Sequence, residues 1–284
     1  MIDAVFGENR KTLSEKKRIT YELYAWLYSC VVENFIASNE TGEITPENVR
    51  ECFTNAFGEI DSLMEFAGFC RLFSESAKNR ITSFPTDEDE IRKAQSTSQI
   101  AYVKNVYSDK AYKIFSDNIP DTGAVYFSSF REVCEEVYYG RSRYAILPIY
   151  TSTDGFLPSF RRLALKYDLK IACATSVSTD DDTVTRFALF RKGLSDPNFR
   201  DADEGEVMLE IYTPSGTEPW ELMSSLSLTG VTTLSVNTVS VEYPDSDVCF
   251  AFNLTADRIS LAALYIFLEG THIRYNTVGN YIIL

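Results

Sequence analysis

The chain has 284 residues, 45% hydrophobic and 24% charged, a globular profile long enough for two domains or three small ones. Its 27 basic and 41 acidic side chains give a net charge of −14, which excludes the basic footprint of a non-specific nucleic-acid binder. His272 is the single histidine, so a multi-histidine metal site is excluded, as is a Ser-His-Asp triad built anywhere else.

Residues 10–80 carry a helical pattern. Ile19, Leu23, Trp26, Leu27, Cys30 and Val31 recur at three- and four-residue steps and build one apolar face. Thr45-Pro46-Glu47 has the form of an N-cap, a proline in the first turn and an acidic start. A further helix is predicted over Ile60–Lys78. Residues 82–99 hold Pro85, the run Asp87-Glu88-Asp89-Glu90 and a Ser/Thr/Gln-rich stretch, the composition of a linker.

From Ile100 the pattern alternates. Strands are predicted at 100–103, 124–127, 144–149, 169–174 and 185–190. Helices are predicted at 109–115, 130–139 and 156–167. Strands separated by helices argue for an α/β sheet with much parallel pairing. Asp180-Asp181-Asp182 reads as a solvated turn rather than a metal site. The last segment predicts strands at 207–212, 232–243, 248–254 and 272–284, with helices at 218–228 and 257–269. That order, βαββαβ, is the split-βαβ or ferredoxin-like arrangement. The expected division is therefore a helical segment 1–81, a linker 82–99, an α/β domain 100–200 and a βαββαβ domain 201–284, an α/β and α+β multidomain protein.

Charge follows this division. Residues 1–99 hold 11 basic and 17 acidic side chains, residues 100–200 hold 14 and 12, and residues 201–284 hold 2 and 12. The middle segment alone has a basic excess, so a small anion is expected there. None of the six cysteines forms a C-x-x-C pair, and most lie among apolar residues, as free thiols in a reducing compartment do. Met1–Glu8 lacks the basic start and apolar run of a signal peptide, and no stretch reaches the length of a membrane span. The expectation is a cytoplasmic protein with no membrane and no nucleic-acid partner.

The block Phe130 to Ile149, with Gly140 and the strand Tyr144-Ala-Ile-Leu-Pro-Ile149, followed by Ser152-Thr153-Asp154-Gly155, resembles prephenate dehydratase. That family has a helix, a glycine, a strand ending Leu-Pro-Ile, then Glu-Asn-Ser/Thr and a glycine. Ala101-Tyr102-Val103 with Tyr107-Ser108 is similar to its opening strand and Phe/Tyr-Ser motif, and Thr185-Arg186-Phe187 to its Thr-Arg-Phe motif. The tail resembles the ACT regulatory domain, and the helical front resembles the fused chorismate mutase–prephenate dehydratase arrangement. The resemblance implies a periplasmic-binding-protein-like α/β domain, here reduced, and an ACT-like domain that pairs into a homodimer.

It also implies a reaction: loss of water and carbon dioxide from prephenate, with no cofactor and no metal, in phenylalanine biosynthesis. The substrate is a small-molecule dicarboxylate, so cations and hydrogen-bond donors must hold it, and the departing hydroxyl needs a proton donor or a polarising hydrogen bond. By resemblance the catalytic residues are Thr185, which supports departure of the hydroxyl, Arg186 and Ser152. The substrate-binding residues are Ser108, Thr151, Thr153 and Arg143, and the effector-binding residues are Gly216, Asn237 and Thr238. The chain departs from the pattern where Tyr150-Thr151 replaces the Glu-Asn pair, and where Lys104-Asn105-Val106 lacks the family's glycines. Only 29 residues separate Gly155 from Thr185, an interval in which the family builds a second lobe. Lys17, Arg18, Arg50, Arg71 and Lys78 do not reproduce a chorismate mutase pattern, and the front reads as a packing or dimerisation segment. Two readings stand: a prephenate dehydratase, and a non-catalytic sensor or regulatory partner that binds an aromatic amino acid.

Overall fold

The computed structural model describes residues 23–39, 44–77, 99–119, 121–178, 183–194, 204–214, 219–239 and 247–284. In chain order these form α1 (23–38), α2 (Pro46–Phe57), α3 (Leu63–Ser76), β1 (Gln99–Val103), α4 (Val106–Asn118), β2 (Gly123–Phe127), α5 (Phe130–Tyr138), β3 (Tyr144–Thr151) and β4 (Gly155–Phe156). There follow α6 (Pro158–Lys166), β5 (Leu169–Ser178), β6 (Val184–Lys192), β7 (Glu204–Pro214), α7 (Pro219–Leu228), β8 (Thr232–Val239), β9 (Asp247–Asp257), α8 (Arg258–Gly270) and β10 (Arg274–Ile283). The residues cluster into two compact units, and the first collects Met1–Ser83, Glu218–Gly230 and Ile259–His272.

That first unit is helical. The Thr45 side chain accepts from the Asn48 N–H and Pro46 opens α2, as the sequence predicts; Ser62 caps α3 by accepting from the Glu65 N–H. An aromatic core joins the helices. Tyr28 packs edge-on to Phe57 and Phe69 at 5.0 and 5.6 Å, Phe53 contacts Phe66 and Phe69 at 5.2 Å each, and Phe66 meets Phe267 of α8 at 6.3 Å. Two arginines close the carboxyl ends of the tail helices. Arg50 Nη1 donates to the Gly270 carbonyl at 2.8 Å, and Arg71 Nη1 donates to Thr229 O at 3.4 Å and Ser260 Oγ at 2.6 Å. Gly230 makes this approach possible, because a Cβ there would stand 2.3 Å from Arg71 Nη1. Two of the five cations weighed for a mutase pocket therefore serve as helix caps; Lys17, Arg18 and Lys78 lie outside the described residues.

The second unit is built on a ten-stranded sheet of order β2-β1-β3-β6-β5-β10-β7-β9-β8, with β4 pairing β3. The β1–β2, β1–β3 and β5–β10 pairs are parallel and the others antiparallel. The expected parallel pairing thus holds for β1–β3 but not for β5 and β6. The reason is chain length: residues 179–183 are too few for a crossover and suit a hairpin. Phe156, expected at the head of a helix, instead pairs with Tyr150 in β4, and α6 starts at Pro158. One sheet face packs on α5 and α6 through Val133, Val137 and Ala164, the other on α4 through Ala111 and Phe115. The tail strands lie in the order β10-β7-β9-β8, the split-βαβ arrangement read from the sequence, and they continue the sheet through β5. The linker expected at 82–99 lies outside the described residues except for Gln99, which opens β1. No helix among the described residues is long and apolar enough to cross a membrane. All six cysteines are free thiols, and Cys70, Cys134, Cys173 and Cys249 are buried.

Candidate functional site

The strand Leu147-Pro148-Ile149 carries a proline, which has no N–H for the ladder, and the β3–β6 register shifts between Pro148 and Tyr150. Beyond the shift Thr151 stands opposite Thr185, and Tyr150 opposite Arg186. The chain then turns through Ser152-Thr153-Asp154. The Ser152 N–H donates to Val184 O at 2.8 Å, and the Val184 N–H donates to Ser152 Oγ at 3.0 Å. Thr151 Oγ1 accepts from the Asp154 N–H at 2.9 Å and donates to Asp154 Oδ2 at 3.0 Å, and Thr153 Oγ1 donates to the same oxygen at 3.2 Å. Thr151, Ser152, Thr153, Thr185 and Arg186 are therefore brought together, with the Thr151 and Thr153 hydroxyls engaged by Asp154 and the Ser152 hydroxyl by the Val184 N–H of β6.

This end of the sheet is also where β1 and β2 deliver helix N-termini, the usual place for a ligand on an open α/β sheet. Both are already occupied. Asn105 Oδ1 accepts from the N–H groups of Tyr107 at 3.0 Å and Ser108 at 2.9 Å, and Ser108 is buried behind it. At α5, Ser129 forms a capping box with Glu132, whose carboxylate also takes the Ser128 hydroxyl and N–H. Those serine hydrogen bonds hold the Glu132 carboxyl below its ordinary 4.5.

The arginines are occupied too, and by residues that motif reading passes over. Arg186 Nη1 donates to both oxygens of Glu206, at 3.0 and 2.9 Å. Asn253 Nδ2 and Tyr281 OH donate to Glu206 Oε2 at 3.2 and 3.1 Å. Burial and then the Glu206 charge push the Tyr281 phenol well up, so it stays a donor. Four residues along β7, on the same face, Glu210 pairs with Arg161 of α6, their side chains only 1% and 5% exposed. Tyr212 OH donates to Glu210 Oε2 at 2.9 Å and Asn276 Nδ2 donates at 3.3 Å. The signal for these glutamates was present in the sequence: Glu206 and Glu210 break an apolar strand on one face at even spacing.

The other sequence candidates stand apart. Arg143 precedes β3 at its opposite end, about 26 Å from Thr151 at a strand rise of about 3.3 Å per residue; its guanidinium lies 5.2 Å from the Tyr144 ring centroid. Asn237 and Thr238 are exposed on β8, the last strand of the sheet, opposite Ala251 and Phe250. Gly216 and Asp180–Asp182 lie outside the described residues. No cluster of three or more metal-ligating side chains occurs among the described residues.

No family model matches the sequence, and no curated protein matches it. Solved structures do. The prephenate dehydratase from Streptococcus mutans superposes with a TM-score of 0.55 at 17% identity, covering 66% of this chain and 99% of that one. A protein described as GqqA, a novel type of quorum-quenching acylase, superposes at 0.54 with 18% identity, covering 66% of this chain and 96% of that one. At these identities the likeness establishes the fold. It is a mixed α/β fold of the prephenate dehydratase kind.

Proposed function

We propose that this protein is a non-converting relative of the prephenate dehydratases, one that binds an aromatic amino acid or a related small carboxylate without lyase chemistry of its own. The observation that carries this reading is the closure of Arg186 and Arg161 by the buried carboxylates of Glu206 and Glu210. A dianionic substrate gains from cations only if they are free to meet it, and here each is neutralised by a carboxylate that other donors also hold. The hydroxyls of Thr151 and Thr153 donate to Asp154 within their own turn, and Ser152 Oγ accepts from the Val184 N–H of β6. In this reading the β7–β10 tail is the ACT-like part, Asn237 and Thr238, with Gly216, belong to its effector side, and the working form is a homodimer.

A second reading, prephenate dehydratase itself, is favoured by one observation: Thr185 of Thr-Arg-Phe stands in register with Thr151 beside the Ser152 hydroxyl. One experiment separates the two. The purified chain is incubated with prephenate at neutral pH and phenylpyruvate is followed, with Thr185→Ala alongside. The non-converting reading expects no product above the uncatalysed rate in either protein; a rate that Thr185→Ala abolishes establishes the lyase instead. Phenylalanine is then titrated in a thermal-shift assay. Binding to the folded state alone adds about 2.7 kcal/mol at 100 times Kd, and a flat response at millimolar phenylalanine overturns the sensor reading.

A further inference from the structure

The carboxyl ends of β1 and β2 carry a group of aromatic and polar side chains apart from the Thr151 turn. Tyr102 of β1 stands in register with Tyr126 of β2, and Lys104 follows two residues on, so the three side chains share the face that α4 covers. Tyr102 is the fixed point. It is 1% exposed, stacks on Tyr112 at 5.3 Å between ring centroids, and its hydroxyl donates to Asp109 Oδ1 at 2.9 Å. Burial first, then Tyr126 and Asp109, push this phenol up, so it stays a donor. Tyr126 packs edge-on to the Tyr102 ring at 5.2 Å. Tyr126 itself is 51% exposed, and Lys104 Nζ stands 4.5 Å from its ring centroid.

Lys104 differs from the arginines of the same segment. Arg161 and Arg186 meet Glu210 and Glu206, Arg141 meets Glu136, and Arg131 meets Glu135. Among the described residues no carboxylate pairs with Lys104. An exposed ammonium alone holds a carboxylate weakly. An exposed ring already fixed against a buried neighbour adds apolar contact with little further ordering cost. A ligand with both a carboxylate and an aromatic ring gains from both groups at once. We propose that Lys104 and Tyr126 form a binding site for a small aryl carboxylate, its carboxylate on the Lys104 ammonium and its ring against the exposed part of Tyr126. The proposal rests on the reading that the chain binds a small aromatic carboxylate. It places that ligand beyond the carboxyl ends of parallel strands, where open α/β sheets hold ligands, and it leaves the Arg161 and Arg186 pairs intact.

Titration calorimetry of the full chain with phenylpropionate and with phenylalanine tests this, alongside lysine acetylation read by mass spectrometry. Phenylpropionate is expected to slow acetylation of Lys104 several-fold and to leave Lys113, exposed on α4, unchanged. Propionate, which has no ring, is expected to give no protection at the same concentration. Lys104→Gln is expected to weaken phenylpropionate binding about fivefold, the worth of a good exposed ion pair. Tyr126→Leu is expected to weaken it several-fold while binding of propionate stays as weak as before. Far-UV circular dichroism during urea unfolding, unchanged in both variants, shows that each is folded. The proposal is overturned if phenylpropionate leaves Lys104 unprotected, if propionate protects it equally, or if Lys104→Gln binds phenylpropionate as tightly as the natural chain. Phenylalanine that still binds in any of these cases leaves the broader reading standing, with its site elsewhere. Absence of binding by both compounds defeats the two together.

Discussion

Replacing Arg161 by methionine keeps the bulk of the side chain and removes its charge. Glu210 is then left with a carboxylate 1% exposed and two neutral donors, Tyr212 OH and Asn276 Nδ2. Breaking one partner of a buried pair costs about 3–5 kcal/mol, because the surviving charge is buried without compensation. In a protein of this size that is a fall in Tm of roughly 6–20 °C. Replacing both residues, Arg161→Met with Glu210→Leu, removes the uncompensated charge and is expected to recover most of the loss, since apolar replacements of buried pairs are often neutral. Far-UV circular dichroism during urea unfolding reports both units. Tryptophan fluorescence reports only the helical one, because Trp26 and Trp220 both belong to it. The loss is therefore expected in the dichroism transition. A single variant that costs under about 1 kcal/mol, or a double variant as unstable as the single, refutes the view that the Glu210 charge is held by Arg161.

Gly230→Ala is expected to destabilise the helical unit by about 1–3 kcal/mol, since φ at 230 is +95° and the new Cβ meets the Arg71 guanidinium; here the tryptophan transition moves first. The Glu132 carboxyl is held low by the Ser128 and Ser129 hydrogen bonds, so its stabilising effect is present above the unfolded value and is lost as pH falls through the folded one. Glu132→Gln is accordingly expected to flatten the acid limb of the stability–pH curve below about pH 4.5, measured by urea midpoints. Burial pushes the Cys134 thiol up to about 12 and the Cys52 thiol to about 11. A thiol reagent at pH 8 is thus expected to modify Cys30 ahead of the other five, with all six reacting only on unfolding; rapid labelling of Cys134 in the native protein contradicts this.

Much of the fold could be read from local pattern. Thr45-Pro46 announces a helix start because caps are local chemistry, and the βαββαβ order of the tail follows from strands and helices of ordinary length. Pairing direction was harder. It is decided between β5 and β6 by a connection of five residues, 179–183, whose shortness is plain only once both strand ends are placed. The start of α6 was misplaced for a similar reason. Gly155 takes φ +73° and sends Phe156 back against Tyr150, a contact that helical periodicity does not encode. At the candidate site, Thr151, Ser152, Thr185 and Arg186 converge because the motifs that name them lie on paired strands. Glu206 and Glu210 were missed because their partners, Arg186 and Arg161, stand 20 and 49 residues away in sequence.

Those two glutamates change what the charge balance means. The basic excess of residues 100–200 first suggests a reservoir of cations for an anionic ligand. Two of those cations, Arg161 and Arg186, are answered by carboxylates of the acidic tail, and a third, Arg141, by Glu136. Charge that is neutralised internally steers no ligand; it fixes register between β6, α6 and β7, where unpaired burial of either sign is penalised. A single measurement tests this. If salt up to 1 M leaves the stability of the sheet unit nearly constant, the Arg161–Glu210 and Arg186–Glu206 pairs are structural. A stability that falls steeply with salt means that the glutamate pairs are solvated and open to an incoming anion, and the dehydratase reading regains the cations it needs.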